Sequence, residues 1–97
     1  MKLDDEKGVM DFFDAVLSLK DRNECTAFFS DICTIKELLD FGQRMEVASL
    51  LSQGLNYQVI SEKTGASSAT ISRVNRCLMY GEGGYKTVLE RLNKEPK

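Results

Sequence analysis

Apolar residues recur at spacings of three and four along most of the chain, and strand-like alternation is sustained nowhere. In VMDFFDAVLSL, Val9, Phe12, Phe13, Val16, Leu17 and Leu19 follow this helical spacing, with Asp11 and Asp14 between them. A polar break, KDRNE, precedes a shorter second helix marked by Cys25, Phe28, Phe29 and Ile32. The third helix opens on Thr34-Ile35-Lys36-Glu37, a capping box in which threonine and glutamate satisfy free N–H groups reciprocally. Its apolar positions are Leu38, Leu39, Phe41, Met45, Val47, Ala48, Leu50 and Leu51, and Gly54 is placed to stop it. These positions cover more than one stripe, which fits burial against both this chain and a second copy.

Asn56 caps a short fourth helix from Tyr57 to about Thr64, with Val59 and Ile60 inward. Gly65 permits the positive φ of a tight helix–helix turn. A fifth helix runs from Ser67 or Ser68 to about Tyr80, and Gly81, Gly83 and Gly84 break it. Tyr85, Val88, Leu89 and Leu92 define a last amphipathic helix, and the sole proline, Pro96, sits in the polar tail. No repeat, low-complexity tract or long linker divides the chain, so an all-α single domain over residues 1–97 is expected.

Composition sharpens this picture at one point. A chain of 97 residues buries only about two-thirds of its unfolded surface, yet 42% of this one is hydrophobic. Part of that surface is expected to meet a second chain, and symmetric dimers are the commonest arrangement. No apolar stretch reaches the roughly 18 residues of a membrane span, and MKLDDEKG lacks the layout of a signal peptide. Three cysteines, Cys25, Cys33 and Cys77, lie in apolar-periodic runs without CxxC spacing, and there is no histidine. All three are expected to be buried structural thiols in a reducing cytoplasm, and no metal site is expected.

The formal charge of −2 conceals an asymmetry. Residues 1–33 hold eight acidic and four basic side chains, whereas residues 57–80 hold one acidic and three basic. The stretch TGASSATISRVNR, Thr64 to Arg76, falls in that basic segment. Two short helices joined at a glycine are a helix-turn-helix arrangement, here at about 56–80, whose second helix enters the DNA major groove. Ile60, Ala66, Ile71 and Val74 occupy the positions where the two helices pack. Ser67, Ser68, Ala69 and Ser72 stand on the exposed side at the start of the second helix, small enough to let it approach base edges. Arg73 and Arg76, with Lys63 on the preceding helix, are candidates for phosphate contact. The same hydroxyls are also ordinary capping chemistry, so a purely structural helical hairpin is the competing reading.

Nothing argues for catalysis: there is no histidine, no glycine-rich phosphate loop and no paired acid–base motif. The acidic run Asp4-Asp5-Glu6 is expected to be solvated.

EKTGASSATISRVNRCLMYG, preceded by FGQRMEVASLLSQGLNY and LSLKDRNECTAFFSDICTIKELL, strongly resembles the Trp repressor superfamily, in particular its YerC/YecD-type branch. The resemblance covers nearly the whole chain. It implies a six-helix Trp repressor-like fold and an intertwined homodimer, with dimerisation helices at about 9–54 and 84–94. It also implies two reading heads that meet successive major grooves of double-stranded DNA.

By the same resemblance Thr34, Arg44, Thr70 and Arg73 match positions that line the family's tryptophan pocket, with Thr70 also on the DNA-reading helix. Two positions depart from the pattern. Val74 stands where a glycine admits the ligand, and Cys77 stands where a serine receives its ammonium. A β-branched side chain fills indole space and a thiol is a poor acceptor, so tryptophan is not expected as a cofactor. Arg44 is then expected to pair with Glu46 or Asp40 and Arg73 to meet phosphate; a different small ligand, such as an anion, is the sharper alternative. Gln58 and Ser61 occupy positions on the helix before the turn where basic residues occur in the family. Fewer phosphate contacts imply weaker, less salt-sensitive binding. The expected function is a sequence-specific DNA-binding transcriptional regulator that does not depend on tryptophan, a repressor by analogy, with a regulator sensing a different small ligand as one alternative. A protein-interaction module docking on a transcription complex is the rival.

Overall fold

The computed structural model describes residues 2–94, so Pro96 lies outside the described residues. Its regular structure is helical: a 3₁₀ turn over Leu3–Asp5, then α1 (Lys7–Leu17), α2 (Arg22–Ile32), α3 (Ile35–Ser52), α4 (Tyr57–Thr64), α5 (Ser68–Tyr80) and α6 (Gly84–Lys94). The chain forms two compact units, residues 1–38 and 39–97.

In the first unit the acidic run Asp4-Asp5-Glu6 is exposed, and Lys7 pairs with Asp11 one turn on at 2.6 Å. The second helix begins earlier than its apolar residues indicate. Asp21 caps α2 by accepting the Glu24 N–H at 2.8 Å, while Glu24 Oε1 accepts the Lys20 N–H at 2.9 Å. KDRNE is therefore a helix start as well as a break. Phe12, Phe28 and Phe29 gather α1 and α2 around an aromatic cluster, with ring centroids 5.5–6.3 Å apart. No residue of α1 or α2 is fully buried.

The capping box at the start of α3 is formed. The Thr34 N–H donates to Glu37 Oε1 at 2.8 Å, and the Glu37 N–H donates to Thr34 Oγ1 at 3.1 Å. At its other end the helix closes in a Schellman turn. The Leu55 N–H reaches the Leu50 carbonyl and the Gly54 N–H reaches that of Leu51, with Gly54 left-handed at φ 86°.

The core belongs to the second unit. Val47 and Ala48 of α3, Ile60 of α4, Ala66 of the turn, Ile71 and Val74 of α5 and Leu89 of α6 form one buried cluster. Met45, Leu50, Leu51, Leu55, Leu78 and Tyr85 pack around it. The cysteines depart from expectation. Cys25 and Cys33 are only half-buried and Cys77 is exposed, all three as free thiols. Cys33 follows α2 in extended backbone instead of lying within a helix, and Cys77 falls one residue off the inward stripe of buried Ile71 and Val74 and half-buried Leu78.

Candidate nucleic-acid interface

The side chains at issue are positioned by α4, the turn and α5, and each end of these helices is fixed by local chemistry. Asn56 Oδ1 accepts the Val59 N–H at 2.9 Å and starts α4. Gly65 ends it in the left-handed region, φ 76°, with its N–H on the Ser61 carbonyl at 2.8 Å. A residue with a Cβ would be strained at that φ. Ser67 then starts α5: its Oγ accepts the Thr70 N–H at 3.1 Å and donates to Thr70 Oγ1 at 3.1 Å. Asn56→Ala should cost about 0.5–2 kcal/mol of stability, seen as a lower urea midpoint at unchanged slope.

The turn between the helices is also internally satisfied. Ser61 Oγ donates to the Ala66 carbonyl at 2.8 Å, and Thr64 Oγ1 donates to the Ile60 carbonyl at 2.7 Å. The Ala66 N–H donates to Thr64 Oγ1 at 3.1 Å. Beneath it Ile60, Ala66, Ile71 and Val74 are each no more than 3% exposed, so they clamp the two helices together.

That packing leaves the other side of α5 in solvent. Ser67, Ser68, Ala69, Ser72, Arg73 and Arg76 are exposed, as is Lys63 on α4, while Thr70 is half-buried. The Ser67 hydroxyl is engaged in capping, and among the described residues those of Ser68 and Ser72 hold no hydrogen bond. Neither Arg73 nor Arg76 forms an ion pair there. Arg73 and Arg76 lie three residues apart, hence on neighbouring positions of one helix face. The face thus combines short side chains near the helix start with two free guanidiniums a turn later.

Arg44, Thr70, Arg73, Val74 and Cys77 come together around one cavity of about 220 Å³. Tyr85 of α6 is a sixth lining residue that the sequence placed only on an apolar face. Thr34 belongs to the first unit, where its hydroxyl and amide are engaged with Glu37. Arg44 does not make the expected ion pair with Glu46 or Asp40. Its guanidinium instead lies over the Phe41 ring, 5.6 Å from the centroid. Val74 is 3% exposed, its side chain part of the core. Among the described residues no cluster of histidine, cysteine or carboxylate side chains could hold a metal ion, and no helix is long and apolar enough to cross a membrane.

Comparison with known proteins gives a consistent result. A solved TrpR-like protein from Eubacterium eligens is 53% identical, with a TM-score of 0.90 over 96% of each chain. A putative Trp repressor from Staphylococcus aureus is 40% identical, with a TM-score of 0.89 over 100% of this chain and 99% of that one. The uncharacterized YerC of Bacillus subtilis is 47% identical over 97% of this chain and 92% of its own length. The family model for the Trp repressor protein matches residues 7–93, and with six helices and these relatives the chain belongs to the Trp repressor family.

Proposed function

We propose that this protein is a DNA-binding transcriptional regulator that acts as a homodimer through α4 and α5 and does not need tryptophan. The observation that carries the reading is the exposed face of α5, where Ser68, Ala69 and Ser72 offer a low profile and Arg73 and Arg76 stand without carboxylate partners among the described residues. Short side chains let a helix approach base edges, and unpaired arginines suit phosphates that fix its register. Family membership supports the same reading.

A second copy of the chain is supported by apolar side chains left in solvent, with Leu17, Ile35 and Leu39 exposed by 81%, 78% and 68%. Ile35 and Leu39 lie one turn apart on α3, and exposed apolar neighbours of this kind suit association with a second copy. Selection of the purified protein against random duplex DNA, without added ligand, is expected to enrich a two-fold-symmetric site. Binding with no enriched sequence would count against a ligand-independent reader.

Independence from tryptophan is supported by two residues that line the cavity. The β-branched Val74 takes up space beside α5 that an indole would need. The Cys77 thiol on its wall is a weak acceptor for an ammonium. Calorimetric titration with tryptophan should show no saturable heat at sub-millimolar concentration, and added tryptophan should leave duplex affinity unchanged.

A further inference from the structure

The angle at which α5 is presented must be set by something that joins the helix pair to the rest of its unit. Apolar contact alone is non-directional. One polar contact supplies direction: Gln43 Nε2 on α3 donates to the backbone carbonyl of Thr64 at 3.2 Å, across 21 residues of sequence. Thr64 is the last residue of α4, so its carbonyl is one of the four left without an intrahelical partner. The contact is partly buried, where leaving that carbonyl unmet would carry a desolvation cost. Only the amide nitrogen can face it, since the amide oxygen would set two acceptors against each other.

We infer that Gln43 is a positioning residue, a latch that caps the C-terminus of α4 from α3 and fixes the angle of the reading helix without a ligand. This inference rests on the DNA-reading function proposed above. The latch meets the helix pair at its pivot. Thr64 carries the Gln43 contact on its carbonyl while its hydroxyl holds Ile60 and Ala66 in the turn. Val74, buried to 3% exposure on the neighbouring helix, occupies the core side of the same unit. A head fixed by side chains already present has no orientation left for a corepressor to select.

The test compares wild type with Gln43→Met, of similar length but unable to donate, and with Gln43→Glu. The full chain is labelled for NMR, and affinity is measured on the duplex that wild type selects. Gln43→Met should remain folded, broaden the amides of residues 57–80 by conformational exchange while sparing 44–52, and bind that duplex about tenfold more weakly. Gln43→Glu should show the same broadening at neutral pH and lose it below about pH 4, under the ordinary glutamate pKa of about 4.3, where a protonated carboxyl can again donate. That readout is independent of the charge the variant brings near DNA, and it stands if Gln43→Met fails to fold. Unbroadened amides in Gln43→Glu at both pH values would overturn the latch, as would a folded Gln43→Met that keeps affinity within about twofold. A wild-type protein that selects no duplex would overturn the DNA reading instead, leaving the exchange measurement to decide the latch.

Discussion

Reversing both reading-helix arginines, Arg73→Glu with Arg76→Glu, is expected to remove duplex binding while leaving the fold intact. Both side chains are exposed and neither holds an ion pair among the described residues, so the substitutions break no ion pair there. Surface changes of this kind usually move stability by no more than about 0.5 kcal/mol. On DNA the consequence is much larger. Each arginine that neutralises a phosphate contributes roughly 0.9 to the slope of log affinity against log salt. A dimer would lose such contacts in both heads and place carboxylates against the backbone. Affinity at physiological salt should fall by about a hundredfold or more, and residual binding should have a shallower salt dependence. Fluorescence anisotropy at two salt concentrations, alongside circular dichroism of the variant, reads both effects. Affinity within a few-fold of wild type would mean that this face is not the working surface. A protein-interaction role would then become the better reading.

The parts of this molecule legible in its sequence are those whose chemistry is local. The Thr34–Glu37, Asn56–Val59 and Ser67–Thr70 contacts each span three residues, and the helices begin where those caps place them. Gly65 is legible for the same reason, since its turn is decided by its own φ. Asp21 was hidden because a polar run reads equally well as a break and as a helix start. Arg44 shows a choice that helix spacing leaves open. Glu46 lies two residues on and faces away, but Asp40, four residues back, and Phe41, three back, both occupy adjacent positions, and it is the Phe41 ring that the guanidinium lies over. Cys77 fell outside the core because the inward stripe of α5 passes through the buried Ile71 and Val74 and then the half-buried Leu78. The Gln43–Thr64 contact and the place of Tyr85 beside α5 depend on how distant segments meet, which no local pattern encodes.

Truncating the centre of the helix pair should be the most damaging single change to stability. Ile71 is fully buried on α5, as is Ile60 on α4, both within one buried core cluster. Removing most of such a side chain costs its transfer free energy plus that of the cavity left behind, about 2–5 kcal/mol. Against the roughly 5–15 kcal/mol of a small folded protein, that is a large share. Ile71→Ala should therefore lower the urea midpoint steeply, whereas Ser72→Ala, the exposed neighbour, should barely move it. Ile60→Ala should behave like Ile71→Ala. The double substitution should cost less than the sum of the two, because both side chains belong to one cluster that a single truncation already loosens. If the protein folds as a dimer, the wild-type midpoint will rise with protein concentration, and Ile71→Ala should shift the whole series downward without abolishing that rise. Denaturation followed by circular dichroism at two protein concentrations measures all of this. A loss below about 1 kcal/mol for Ile71→Ala would mean that α4 and α5 do not depend on this shared core, and the clamp that presents the reading face would have to be sought elsewhere.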